Sequence, residues 1–295
     1  MPDYAALMAE WEEALGRRAT LAPSLHLWTL ALGGWTRWKP GDLRPLGGTD
    51  AERRGVWERG LPLSAEARPR IEAVLVEDLL GPVMESLALA LPHLGESFQR
   101  FAEAWDRSEV GPDALLPRAG EDPAARLQTL FGIPTAVGAF LGPVGLRPAL
   151  DTYFEGARGL PEGVWQRGLC PWCGGPAGFA DLVEDGRRRL SCPLCGGLWL
   201  AARLRCPFCD TWDSRDLVRL LVEGGEEEGY FIEACRACHG YVKGVDRRQR
   251  WNAASPLLED WATPHLDSYA LRQGYWRPTP TLAHLLALAG EDAQE

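Results

Sequence analysis

The sequence predicts an α+β protein in which a helical domain, residues 1–165, is followed by a ribbon domain with two tandem four-cysteine modules, residues 166–250, and a helical extension, residues 251–295, packs on the rest. Three observations predict this. Apolar residues recur at helical spacing up to about Trp165, strand-like alternation with Gly, Pro and Cys punctuation replaces it from Gly168, and all eight cysteines fall in Cys-x-x-Cys pairs between Cys170 and Cys238.

Tyr4, Leu7, Met8, Trp11 and Leu15 share one face with charged residues between them, which predicts a first amphipathic helix. A second long helix is predicted from Ser64, an N-cap residue with Glu66 in the first turn, and Ile71, Val74, Leu75 and Leu79 make its buried stripe. Gly81-Pro82 ends or kinks it. Met84, Leu87 and Leu91 mark a following helix, Phe98, Phe101, Ala102 and Trp105 another, and shorter helices are expected over 124–131, 135–141 and 147–156. Gly33-Gly34, Pro40-Gly41 and Gly47-Gly48 predict an irregular connection between residues 33 and 63, and Trp28, Trp35, Trp38 and Trp57 make it either a binding loop or a lid on the helices. Beyond Arg250, Leu257, Leu258 and Trp261 start one stripe, and Thr263-Pro264 reads as N-cap and first helical residue before Leu266, Tyr269 and Ala270. Leu282, Leu285 and Leu286 are expected in a last short helix, with 290–295 frayed.

A chain of 295 residues that is 46% hydrophobic is long enough to bury a core. Its formal charge of −10 argues against free attraction to nucleic acid or an anionic membrane. The first residues lack the basic start and apolar run of a secretory signal, so a cytoplasmic location is expected. The longest uncharged stretch, 132–146, is broken by Pro134, Gly138, Gly142, Pro143 and Gly145, and it reads as buried helix and turn rather than a membrane insertion.

Three cysteine pairs read Cys-Pro-x-Cys: Cys170-Pro171-Trp172-Cys173, Cys192-Pro193-Leu194-Cys195 and Cys206-Pro207-Phe208-Cys209. The fourth is Cys235-Arg236-Ala237-Cys238. Two intervening residues let a tight turn aim both sulfurs at one ion, and a small residue after the second cysteine accommodates the turn. Gly174 and Gly196 meet that need, while Asp210 and His239 stand at the same place in the other two turns. With no thiol left over and no sign of export, metal binding is favoured over disulfides, and no thioredoxin-like βαβ context supports four redox motifs.

An internal repeat favours a sequential grouping over the interleaved one that is also possible. After Cys173 comes a hairpin, 177–191, turning at 184–186, then the second cysteine turn and a strand over 198–205. After Cys209 the order recurs as strand 217–222, turn 224–229, strand 230–234, the fourth turn and strand 241–245. Sequential pairing follows: Cys170, Cys173, Cys192 and Cys195 hold one ion, and Cys206, Cys209, Cys235 and Cys238 hold the other. Each is expected as a tetrahedral four-cysteine site for iron or zinc, in a module of the rubredoxin-like or zinc-ribbon kind, and the ligand set alone does not choose the metal.

No catalytic signature accompanies these sites, so no enzyme is read from the chain. His26, His93, His239, His265 and His284 are scattered; His239 adjoins a ligand and is read as surface-exposed before it is read as a donor to the site or an alternative ligand. Arg187, Arg188, Arg189, Arg247, Arg248 and Arg250 resemble a nucleic-acid patch, but residues 166–250 hold 13 Lys/Arg against 12 Asp/Glu, so a solvated or partner-binding face is the better reading.

The spacing C-x2-C, 18 residues, C-x2-C, 10 residues, C-x2-C, 25 residues, C-x2-C after a helical half resembles the formate dehydrogenase accessory protein family. The likeness centres on residues 170–245, especially Arg189-Leu190-Ser191-Cys192, the spacer 196–205, and Glu233-Ala234-Cys235 with Gly240-Tyr241-Val242-Lys243. The resemblance implies a cytoplasmic assembly factor that binds the catalytic subunit of a formate dehydrogenase. It also implies that the eight cysteines are metal ligands, often regarded as holding rubredoxin-like iron. Trp199, Arg203 and Arg205, on one side of their strand, are candidates for the partner surface, and packing between the ribbons is their alternative role. A rubredoxin-like electron carrier and a nucleic-acid-binding ribbon protein are the rival functions.

Overall fold

The structure is a computed structural model that describes residues 3–18, 25–118, 121–221, 227–279 and 284–285. Of the expected last helix only 284–285 are described, and residues 222, 224–226 and 290–295 also lie outside the described residues. Helices α1 (Tyr4–Arg17), α2 (His26–Arg37), α3 (Asp50–Glu58), α4 (Leu63–Glu66), α5 (Val74–Ala90), α6 (Gly95–Asp106), α7 (Pro123–Phe131) and α8 (Thr135–Tyr153) precede strands β1 (Phe179–Leu182), β2 (Arg188–Ser191), β3 (Leu198–Ala201), β4 (Leu217–Leu221), β5 (Tyr230–Cys235) and β6 (Tyr241–Asp246). Helices α9 (Pro256–Trp261) and α10 (Pro264–Arg272) follow.

Several helix boundaries differ from those expected. The stretch 33–63 is not an irregular loop: α2 runs to Arg37, and Thr49 opens α3 with a capping box, its hydroxyl accepting from the Glu52 N–H while Glu52 accepts from the Thr49 N–H. Thr49-Asp50-Ala51-Glu52 is the sequence signal for that start. Ser64 caps no long helix. It sits buried in the single turn α4, α5 begins only at Val74, and Val74 itself is 60% exposed. Neither Pro82 in α5 nor Pro143 and Pro148 in α8 breaks its helix. Burial explains the persistence of α8: most of it is enclosed, so packing outweighs the lost backbone donors.

The ribbon modules merge into one six-stranded sheet of order β3-β2-β1-β6-β5-β4. Within each module the strands pair antiparallel, and β1 joins β6 in parallel. The tandem repeat is therefore a translation across one sheet, and β1 and β4 run the same way. The joint depends on Gly244, opposite Ala180, because a Cβ there would stand 2.4 Å from the Phe231 ring and 2.6 Å from the Ala180 carbonyl oxygen.

One apolar core crosses from helices to sheet. Trp261 of α9 stacks on Trp28 of α2 at 3.9 Å, and Trp11 of α1 meets it edge-on at 5.7 Å. Behind β6 the fully buried Lys243 Nζ bonds Asp267 at 2.6 Å and Asp260 at 3.1 Å. Arg277 bridges the same two carboxylates and donates to the Gly178 carbonyl. Two cations thus balance two anions, and they fasten α9, α10 and the segment after α10 to the start of β1. No single helix among the described residues is long and apolar enough to cross a membrane.

Candidate metal centres

In every cysteine turn the first cysteine's N–H donates to the carbonyl five residues on, at 2.7–3.0 Å. In three of them the N–H of the residue after the second cysteine also donates to the first cysteine's carbonyl: Gly174 to Cys170 at 3.0 Å, Gly196 to Cys192 at 3.0 Å and Asp210 to Cys206 at 3.2 Å. That residue takes a left-handed φ in all four turns: Gly174 at 77°, Gly196 at 71°, Asp210 at 62° and His239 at 57°. Asp and His accept this conformation more readily than β-branched residues do, so the substitutions leave the turn intact. Backbone N–H groups of Gly175, Phe208 and Gly240 point at Cys173, Cys206 and Cys238 Sγ, each at 3.4 Å.

The turns converge two by two. Cys170, Cys173, Cys192 and Cys195 form the first group and Cys206, Cys209, Cys235 and Cys238 the second, with all sulfurs of a group within 4.8 Å of one another. Because one turn precedes the first strand of each module and the other follows its second strand, both groups lie at the same end of the sheet. Sulfur separations are 3.4 and 3.5 Å in the first group and 3.7 Å twice in the second. These are too long for disulfides, and they approach the edge of about 3.8 Å that follows from metal–sulfur bonds of about 2.3 Å in a tetrahedron. The donor set fits zinc or a single iron: either would supply a rigid cross-link, and iron would also offer one-electron chemistry.

The two groups have unlike surroundings. All four sulfur-bearing residues of the first are at most 1% exposed. Helix α3 and the start of α4 cover them, since Trp57 Nε1 and the Leu63 N–H both donate to the Pro171 carbonyl and the Ser64 N–H to that of Trp172. Arg158 reaches Cys195 Sγ at 3.6 Å, bonds its carbonyl, and lies over the Trp172 ring. Arg147 bonds the Pro193 carbonyl at 2.9 Å and pairs with Asp151 at 2.7 Å, and Tyr4 donates to the same carboxylate. Burial raises the Cys170 and Cys173 thiols well above their ordinary range. Against the same burial, bonds from the neighbouring thiols and the Arg158 charge hold Cys195 well below it.

In the second group Cys209 is exposed and Cys238 half-buried. Phe208 and Trp276 flank it with rings 6.1 Å apart, and Trp276 Nε1 donates to the Cys238 carbonyl at 2.7 Å. His239 is exposed on this rim and is not among the clustered ligand atoms.

Sequence reasoning missed Arg158, Asp151 and Tyr4 beside the first group; the one hint it offers is Arg147 and Asp151 four apart on an apolar helix. The three residues expected at a partner surface have unlike placements. Trp199 is only 2% exposed and bonds the Arg167 carbonyl, and β3 stops at Ala201, so Arg203 and Arg205 lie in the turn beyond. The arginines that resemble a nucleic-acid patch are largely spoken for: Arg187, Arg188, Arg189, Arg247 and Arg248 all form ion pairs. A cleft of about 920 Å³ opens between the helices and the first module, lined by Arg68, Phe140, Leu194, Trp261 and Trp276 among others.

No family model matches the chain. A Pseudomonas aeruginosa protein described as an FdhE homologue is 34% identical over 176 residues, 54% of this chain and 52% of that protein, so the chain spans about half the length of this relative. An Edwardsiella ictaluri protein of the same description is 31% identical over 275 residues, 80% of this chain and 87% of that protein. The crystal structure of the FdhE protein from Pseudomonas aeruginosa superposes with a TM-score of 0.55 over 94% of this chain and 93% of that one, at 23% identity, and so shares the fold.

Proposed function

The chain belongs to the FdhE family, and from that premise we propose that it is a cytoplasmic assembly factor for a formate dehydrogenase, binds the enzyme's catalytic subunit, and catalyses no reaction itself. The observation that carries this reading is the closure of both cysteine groups: four sulfurs surround each centre and leave no coordination position for a substrate. In this reading Cys170, Cys173, Cys192 and Cys195 hold one ion and Cys206, Cys209, Cys235 and Cys238 another. The ions stiffen the sheet, and a pre-ordered sheet meets a partner at low ordering cost. The cleft between helices and sheet is the concave surface available to a segment of that partner.

Co-purification from the native host tests the proposal. A formate dehydrogenase catalytic subunit should be retained by the chain, and deletion of the gene should abolish formate dehydrogenase activity while leaving its transcript level unchanged. Recovery of the chain alone, with full enzyme activity in the deletion strain, refutes the reading. Electron transfer is a second reading, favoured by the exposure of Cys209 at the second centre. A reversible bleaching of ferric-thiolate absorbance on reduction is its signature.

A further inference from the structure

Beside the second cysteine group, on the face where β4 and β5 meet the turn after β3, a cavity of about 160 Å³ is lined by Arg188, Arg203, Arg205 and Arg219 together with Glu233 and the cysteines Cys206 and Cys235. Four guanidinium groups and one carboxylate around a cavity is an unusual concentration of positive charge in a chain of net charge −10. The acids nearby do not neutralise it. Glu233 is taken by Arg188 at 3.0 Å, and Asp210 by Arg205 at 2.9 Å. Among the described residues Arg203 and Arg219 form no ion pair within 4.0 Å. Arg219 lies over the Phe231 ring at 3.8 Å, which fixes the plane of its guanidinium.

Hydrogen-bonding capacity is also left open. The buried Nε atoms of Arg188, Arg205 and Arg219 have no partner, although Arg188 is only 3% exposed. A buried N–H without an acceptor is costly, so these three guanidinium groups gain from added negative charge at the cavity. Burial, together with the nearby positive charges of Arg203 and Arg248, lowers Arg219 from its ordinary range in spite of Glu233. That repulsion is relieved by an anion, not by another cation.

We propose that this cavity is a binding site for a small tetrahedral oxyanion, inorganic phosphate or the phosphate group of a monoester, held by the unpaired Arg203 and Arg219, with the paired Arg188 and Arg205 adding positive charge to its wall. Guanidinium forks match phosphate oxygens, and two unpaired cations match a dianion. The site is independent of the proposed assembly role, and two residues of the second group, Cys206 and Cys235, line it, so its occupancy is placed to alter that end of the sheet.

Titration calorimetry on the purified full chain tests this with inorganic phosphate, glycerol phosphate and chloride as probes. Phosphate is expected to bind once per chain with a Kd below about 1 mM, weakening as salt rises, and chloride is expected to show no saturable site. Comparable affinity for glycerol phosphate identifies the monoester group as the ligand, and its absence identifies free phosphate; either is a binding result. Arg203→Gln, at an exposed position that leaves the fold intact, should weaken binding at least about tenfold, and Arg219→Gln likewise. The arginines have a competing role in offsetting the thiolate charge of the second group. If the variants alter metal retention while phosphate binds neither them nor the parent chain below about 10 mM, the proposal is overturned. Phosphate binding that is insensitive to both substitutions overturns it equally.

Discussion

The indole Nε1 of Trp35 donates to the Val144 carbonyl across 2.9 Å, and Val144 is the residue whose helical partner would have been Pro148. Proline has no N–H to give, so α8 presents a carbonyl at that turn that its own backbone cannot satisfy. Trp35, 1% exposed, supplies the donor from α2. Trp35→Phe should keep the ring packing and orphan the oxygen, lowering unfolding free energy by about 1–3 kcal/mol in urea titrations. Adding Pro148→Ala returns the backbone donor, and the double variant should recover a large part of that loss; strict additivity of the two substitutions would show that the bond and the proline are unrelated.

Lys243 makes a second test of buried polar balance. Removing it as Lys243→Met leaves Asp260 and Asp267 with Arg277 alone, inside a site where Asp267 and Lys243 are wholly buried. The expected cost is about 3–5 kcal/mol, read from the urea midpoint. Lys243→Met with Asp267→Asn restores neutrality and should cost less than Lys243→Met by itself.

Acid should loosen the contact between the end of α1, the segment before β5 and α10. Glu227 receives Arg18 at 2.7 Å and His265 at 3.0 Å, and although burial alone would raise its carboxyl, the bonds from His265 and Arg18 bring it down from 4.5 to about 2. A carboxyl lowered on folding stabilises fully above its unfolded value and loses that contribution as pH falls through its folded one. The stability difference between the parent and Glu227→Gln should therefore be present at pH of about 5, amount to no more than about 1 kcal/mol, and vanish towards pH 2. A difference that grows on acidification would contradict the assignment.

The unlike burial of the two cysteine groups predicts unlike metal release. After loading with cobalt(II), a soluble chelator should withdraw one equivalent at least about tenfold faster than the other, because only the second group offers an exposed sulfur, at Cys209. Cys209→Ser should leave a single slow phase in the charge-transfer absorbance. Cys170→Ser should lower stability by more than about 4 kcal/mol, since the first group lies within the core shared by helices and sheet. Equal release rates in the parent chain would refute the distinction.

What was legible in the sequence was local. The Tyr4–Leu15 stripe, the Cys-x-x-Cys turns and the alternating strands are encoded within a few residues, and all three appear, although the strand expected over 198–205 ends at Ala201. The errors arose where a local rule met a remote partner. Proline inside α8 reads as a break until Trp35 is seen 109 residues away, and Ser64 reads as a cap until its N–H is found on the Trp172 carbonyl. For Trp199 strand alternation leaves partner surface and inward packing both open, and the indole is found buried, bonded to the Arg167 carbonyl.

The order of the cysteines, their spacing and their repetition determined which sulfurs belong together, because a two-residue turn sets the aim of its own side chains and hairpins bring the turns back in sequence. Tertiary structure alone decided that the two modules fuse through β1 and β6, that Arg158 seals one group while the other faces solvent, and that four arginines meet around one cavity. Those outcomes depend on side chains far apart in the chain, and periodicity carries no information about which distant surfaces will meet.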